Sequence, residues 1–188
     1  KINLQINLTE TEKTYVERIN LYGNFITEEK VIRNSLIVDE GDAFNEILLN
    51  KSINNIKSRN IFKNVSKTIQ EGSSKAHKII NIEVEEKPTG EISAGAGTGT
   101  SGSVVSVGIK ENNYLGRGIG LNTSLSISNT TIQGLFSINN PNYKNSDKSL
   151  NTTVESATSD YMSKFGYKNK KHGFSIGTYY EQFKDIYF

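Results

Sequence analysis

At 188 residues the chain is long enough for one ordinary domain or two small ones, and a formal net charge of +2 gives it no electrostatic bias toward nucleic acid. It contains no cysteine, which excludes disulfides, thiolate metal sites and cysteine nucleophiles. No run approaches the roughly 18 consecutive apolar residues of a membrane helix, but a membrane β-barrel, whose strands alternate, stays open.

Ile2, Leu4, Ile6 and Leu8 alternate with polar residues, which predicts a strand and not a signal peptide. The chain is therefore expected to begin inside a longer protein. YVERINLYGN, residues 15–24, predicts a second strand closing at a Gly-Asn turn. Thr27 is expected to cap a short helix, with Glu28 and Glu29 in its first turn and Ile26 and Val31 as a hydrophobic staple. After Asp39, Glu40, Gly41 and Asp42, Asn45 is placed to cap a longer helix. Its apolar stripe is read as Ile47, Leu48, Ile53 and Ile56, with Phe44 and Leu49 as staple. Residues 62–70 and 77–87 then predict two strands joined by Glu71, Gly72, Ser73 and Ser74, and Ile80, Ile82 and Val84 share one face of the second.

The composition shifts at Gly90. Residues 1–90 hold 4 glycines and 26 charged residues, whereas residues 91–188 hold 12 and 16, together with 12 of the 17 Tyr and Phe. Two kinds of structure are expected to meet near Lys87, Pro88, Thr89 and Gly90.

Beyond that point the chain reads as strands alone. Ile119, Leu121, Leu125 and Ile127 lie on one face, opposite Gly118, Gly120, Asn122, Ser124, Ser126 and Ser128. An aliphatic face backed by a small, polar one fits lipid outside and water inside. Val105, Val107 and Ile109 repeat the pattern, as do Ile132, Phe136 and Ile138, then Leu150, Thr152 and Val154, then Phe174, Ile176 and Tyr180. The turn at residues 129–131 is tight. Those around residues 140–148 and 159–170 read as longer, which suggests short turns on one side and long loops on the other. Tyr143, Tyr161, Tyr167 and Tyr187 fall near strand ends, where an aromatic girdle or plain surface tyrosines would sit.

Two short motifs compete with this reading. Gly97, Gly99 and Gly102 match the dinucleotide pattern G-x-G-x-x-G, but a period-two segment follows instead of a helix, and Asn122 and Thr123 stand where the acid should be. Gly173, Ser175 and Gly177 match the nucleophile elbow G-x-S-x-G, yet no histidine follows Ser175 and the alternation runs through the motif. His77 and His172 lie in separate halves, outside any metal-ligand spacing. No acid, base and nucleophile cluster together, so no enzyme, metal or cofactor is expected.

The strand-helix-helix-strand-strand unit, followed by EEKPTGEISAGAGTGTSG and ENNYLGRGIGL, resembles the last POTRA domain and first barrel strands of BamA-type outer-membrane assembly factors. The most specific part is Asn113, Tyr114, Leu115, Gly116, Arg117 and Gly118, similar to that family's N-x-L-G-x-G turn; Asn140-Pro141, Phe44-Asn45 and Asn60-Ile61-Phe62 add to it. Where the family often has a glycine before the aromatic of the last of these, this chain has Asn60 and Ile61.

The resemblance implies an α+β POTRA domain (β-α-α-β-β) over residues 14–88. Residues 1–13 would be the tail of a preceding POTRA domain, and residues 89–188 the first antiparallel strands of an incomplete transmembrane β-barrel. It implies insertion of unfolded outer-membrane clients without nucleotide hydrolysis, in the bacterial outer membrane, with the POTRA half in the periplasm and no nucleic-acid partner. Clients would pair with the edge strand Phe62, Lys63, Asn64, Val65, Ser66, Lys67, Thr68, Ile69 and Gln70. They would also pair with the barrel's seam strand, Glu91, Ile92, Ser93, Ala94, Gly95, Ala96, Gly97 and Thr98. Val105, Val107, Ile109, Ile119, Leu121, Leu125 and Ile127 would face the lipid bilayer. The acidic loop Asp39, Glu40, Gly41, Asp42 is a possible dock for an accessory lipoprotein, or simply a solvated loop. The alternatives are a two-partner-secretion-type transporter and a soluble β-rich binding module in which the aliphatic faces meet in a sandwich.

Overall fold

A computed structural model describes residues 12–99, 102–183 and 186–187. The alternating segment 2–8, and Thr100 and Ser101 of the glycine motif, lie outside the described residues.

The first unit runs β1 (Tyr15–Tyr22), α1 (Glu29–Arg33), α2 (Glu46–Ser58), β2 (Phe62–Glu71) and β3 (His77–Glu86). The sheet order is β1-β3-β2, with β1 parallel and β2 antiparallel to β3. A parallel pair needs a crossover connection, and the two helices lie within it. They cover one face of the sheet: Leu49, Ile53 and Ile56 of α2 and Val31 and Ile32 of α1 are buried with Val16, Ile19, Val65, Ile80, Ile82 and Val84 of the strands.

Asn45 caps α2 as expected, its side chain accepting from the Ile47 and Leu48 amides. The buried stripe differs from the expected one. It is Leu49, Ser52, Ile53 and Ile56, while Ile47 is 78% exposed, because at about 100° per residue Ile47 falls on the far side of the helix from Leu49. Thr27 does not cap α1. The cap position is Glu28, without a side-chain bond, and Thr27 is buried. Ile26 is 73% exposed, so no staple forms with Val31. Asn60 follows the α2 cap with φ 57, a left-handed conformation that asparagine tolerates and glycine favours. Asn60 thus does the work of a helix-closing glycine.

The second unit is a six-stranded antiparallel sheet in chain order: β4 (Gly90–Gly99), β5 (Gly102–Tyr114), β6 (Ile119–Ser128), β7 (Thr131–Asn140), β8 (Ser149–Tyr161) and β9 (Tyr167–Tyr179). A short pair, β10 (Glu181–Phe183) and β11 (Ile186–Tyr187), follows. The register aligns Ile92, Ile109, Thr123, Phe136, Val154 and Phe174 across all six strands, and beside them Ser93, Gly108, Ser124, Leu135, Glu155 and Gly173. The sheet therefore has an aliphatic face and a face that is small or polar apart from Leu135 in this row. It is open, not closed into a barrel. Tyr180 lies beyond β9 and does not extend the aliphatic row.

Every residue of the buried apolar core lies between Val16 and Val84. After Gly90 the buried residues are Asn113, Gly116 and Gly118 alone among those described. Val105, Val107, Ile109, Leu125 and Ile127 are between 42% and 56% exposed, and Ile119 and Leu121 are half-buried. Among the described residues the aliphatic face meets no second sheet, which the soluble-module alternative requires. No described helix is long and apolar enough to cross a membrane, which says nothing of strands.

The turns correct two expectations. Successive antiparallel turns alternate sides, so the two-residue turn 129–130 and the turn 162–166 share one side. The longest turn, 141–148, lies on the other, against the first unit. Short and long turns are therefore not segregated. Tyr161 and Tyr167 pair with each other on the face of Glu155 and Gly173, opposite Val154 and Phe174, so they do not form a lipid-side girdle. They cluster with Phe165, the Tyr161 and Tyr167 rings 5.4 Å apart. Tyr114, paired with Ile119, joins Phe136 and Phe174 on the aliphatic face.

Candidate functional site

The two main sheets end in four edge strands, β1 and β2 in the first unit and β4 and β9 in the second, with a junction between the units. β4 forms one end of the six-stranded sheet. It pairs with β5 alone among the described residues, and all ten of its residues are exposed. Added Cβ atoms at Gly97 and Gly99 would meet nothing within 4 Å, and one at Gly95 would touch only the Ser106 hydroxyl, at 3.4 Å. No close packing explains these glycines. Each lowers strand stability by roughly 0.5–1 kcal/mol relative to alanine.

In the first unit both β1 and β2 are edge strands, but they differ in availability. Along β1, the Val16 amide donates to the Asp42 carbonyl, the Gly41 amide donates back to the Val16 carbonyl, and the Phe44 amide donates to Thr14. Further along, the Glu40 carboxylate accepts from the Ile19 amide at 3.0 Å, and the Arg33 guanidinium donates to the Ile19 carbonyl. Edge groups of β1 are thus already bonded. Asp42 in turn accepts from the Asp39 amide. The acidic loop is therefore a strap over β1, with Glu40 and Asp42 both committed within the chain.

β2 has no such strap among the described residues and leaves its outer side open. A register shift between Phe62 and Asn64 turns Lys67 and Ile69 toward the positions that pair with Ile82 and Ile80, which explains its weak alternation.

Asn113 centres the junction. Its side chain donates to the Thr27 hydroxyl (2.9 Å) and accepts from the Gly118 amide (2.7 Å), and its own amide donates to Glu111. The Glu28 amide donates to the Gly116 carbonyl. Gly116 sits at φ +71 with its hypothetical Cβ 2.0 Å from the Ile26 carbonyl oxygen, so no side chain fits there. The N-x-L-G-x-G turn is a plug seated on the first unit. The loop it meets is held by Glu86, whose carboxylate accepts from the amides of Phe25, Ile26 and Thr27. Partial burial pushes the Glu86 carboxyl up, but the Thr27 hydroxyl and these amides outweigh it and hold the net value below the usual range. On the other flank, Arg59 donates to the Ser35 hydroxyl and to the Asn142 side chain.

The sequence reading assigned no role to Glu86, Arg59 or Asn142, and no local pattern marks them. The competing motifs dissolve in the structure. Gly97 and Gly99 are in β4, and Gly102 opens β5, with no helix after it; Ser175 sits inside β9. His77 and His172 are strand residues bonded to Ser74 and Ser156.

Residues 14–87 match the POTRA family, described as a surface antigen variable number repeat. The chain is similar to the outer membrane protein assembly factor BamA of Neisseria meningitidis serogroup B, 26% identical over 155 residues that cover 81% of this chain and 19% of that protein. It also overlays the crystal structure of BamA from Haemophilus ducreyi lacking POTRA domains 1–3, at TM-score 0.77 and 22% identity, covering 91% of this chain and 33% of that one. The chain is similar to BamA-type proteins over most of its length. CdiB from Escherichia coli shares the fold less closely, at TM-score 0.62 and 13% identity over 90% of this chain and 34% of that one. The chain thus spans about a fifth of the curated BamA relative it matches. That relative is named an assembly factor and not an enzyme, which accords with a non-catalytic role.

Proposed function

We propose that this chain is part of an outer-membrane protein assembly factor, with its POTRA domain in the periplasm and its six-stranded sheet forming the first strands of a membrane barrel. The sheet's aliphatic face contacts lipid, and clients are unfolded outer-membrane proteins. The observation that carries the reading is β4: a ten-residue strand paired on one side only. Its unpaired N–H and C=O groups are a template for another strand. Client strands add at this seam, and β2 supplies a second template in the POTRA domain, whereas β1 is closed by the 39–42 strap. Strand addition exchanges backbone hydrogen bonds and needs no nucleotide hydrolysis. The strap's acidic groups serve β1, which weakens the case for them as an accessory-lipoprotein dock. The transporter alternative rests on the weaker CdiB likeness.

Replacing Gly95 and Gly97 with valine tests the seam, since an added Cβ makes only an ordinary contact with Ser106 at the first site and none at the second. Stiffening it by about 1–2 kcal/mol should slow client insertion by the reconstituted full-length protein roughly five- to thirty-fold. Unchanged insertion kinetics would remove the seam from the mechanism.

A further inference from the structure

A cavity lies beside the junction, lined by α1, the β5–β6 turn and the β7–β8 turn. Its volume is about 160 Å³, well below the ~300 Å³ at which pockets begin to admit drug-sized molecules. Lys30, Arg59, Arg117 and Lys144 line it, with four asparagines and no acidic residue. Glu28 is the nearby carboxylate, and it is shared between Lys30, to which it is bonded, and Arg117, 3.9 Å away. Arg59 spends its donors on neutral oxygens, those of Ser35 and Asn142, and forms no ion pair with a described residue. Four cations around one small space with a single shared carboxylate leave a surplus of positive charge. An anion would relieve it.

The cavity is also placed at a boundary. Ile119 lines it, and Ile119 pairs with Tyr114 on the sheet's aliphatic face. If that face meets lipid, the cavity opens at the level of the headgroups on the POTRA side. We propose that Lys30, Arg59, Arg117 and Lys144 bind the phosphate of an anionic phospholipid headgroup, so that one lipid bridges the POTRA domain and the first barrel strands. Basic pockets at a membrane surface favour such headgroups. Both the guanidinium of Arg117 and the ammonium groups donate to phosphate oxygens, and the asparagine amides supply neutral donors.

The inference rests on the barrel reading above, and the test separates the two. Full-length protein is reconstituted in bilayers of phosphatidylcholine with a minor fraction of phosphatidylglycerol, extracted mildly, and its retained lipid is read by native mass spectrometry. Retention of phosphatidylglycerol over phosphatidylcholine is expected. The triple variant Lys30→Gln, Arg117→Gln, Lys144→Asn should lose that preference, by roughly fivefold for each charge removed. Asparagine suits position 144, where the backbone is left-handed (φ 54). Circular dichroism checks the fold of the variant. Should the triple variant misfold, Lys30→Gln and Lys144→Asn singly should each show the fivefold loss. Equal retention of the two lipids, or an undiminished preference in the variants, overturns the proposal. Capture of inorganic phosphate alone, without phosphatidylglycerol, overturns the lipid assignment. Protein that fails to enter the bilayer at all overturns the barrel reading instead.

Discussion

β3 and β5 use the same alternating aliphatic code and meet opposite fates. Ile80 and Ile82 of β3 are fully buried, whereas Val107 of β5 is 49% exposed. The difference lies in the company each strand keeps. α2, a thirteen-residue helix, closes over β3 and its neighbours. After Gly90 no helix among the described residues is longer than four residues, and none covers the sheet. Alternation states that one face should be dry. Whether the chain or its surroundings keep it dry depends on what else the sequence encodes.

The largest expected effects test that contrast directly. Ile56→Ala should cost about 2–5 kcal/mol, because a fully buried side chain leaves a cavity in a packed core. Val107→Lys should cost about 2–4 kcal/mol with the sheet in a bilayer, if Val107 lies near its midplane. Denaturant titrations of full-length protein, in lipid and in detergent-free buffer, measure both. A large penalty for Val107→Lys in plain buffer would show that Val107 sits in a water-soluble core and would erase the distinction between the two regions.

The next effect lies where the regions touch. Gly116→Ala places a Cβ 2.0 Å from the Ile26 carbonyl oxygen at a left-handed backbone position, so the plug must withdraw from its socket. A cost of about 1–3 kcal/mol is expected. Hydrogen exchange should quicken at the amides of Glu28 and Gly118, whose acceptors are Gly116 and Asn113. Gly97→Ala serves as the control, with open space around it. Equal exchange in the two variants would mean that the contact does not hold the regions together.

Most of this fold was legible in the sequence, and the failures share a cause. Period-two alternation located β1, β3 and β5 through β9, the resemblance placed β4, and Asn45 announced α2; the alternation and the cap are local signals. The buried stripe of α2 was right at Ile53 and Ile56 but rotated in the first turn, where Leu49 and not Ile47 faces the sheet. The junction was beyond local reading. Asn113 meets Thr27 across 86 residues, Arg59 meets Asn142 across 83, and Phe25 meets Glu86 across 61. The N-x-L-G-x-G letters were recognisable by resemblance alone, and their physical reason, the Ile26 carbonyl, lies in another part of the chain. The girdle reading of Tyr161 and Tyr167 failed on parity, a single-residue matter that strand ends leave undetermined.

The smallest effect concerns how the socket itself is held. The Glu86 carboxylate gathers three successive amides, those of Phe25, Ile26 and Thr27, and the last of these residues receives Asn113. Its carboxyl titrates below the ordinary value of 4.5 in the folded protein. The stabilisation is therefore fully present above the unfolded value and is lost as pH falls through the lower folded value. Glu86→Gln should cost about 1 kcal/mol at neutral pH, a partly solvated charged bond being worth less than a buried one. The gap between wild type and variant should close on acidification below 4.5. Unfolding of the POTRA domain within full-length protein, followed at neutral and acid pH, measures that gap. A gap that stays constant across the range would show that the carboxylate's charge does not hold the loop, and the contact between the two regions would then have to be set by Asn113 and Gly116 without it.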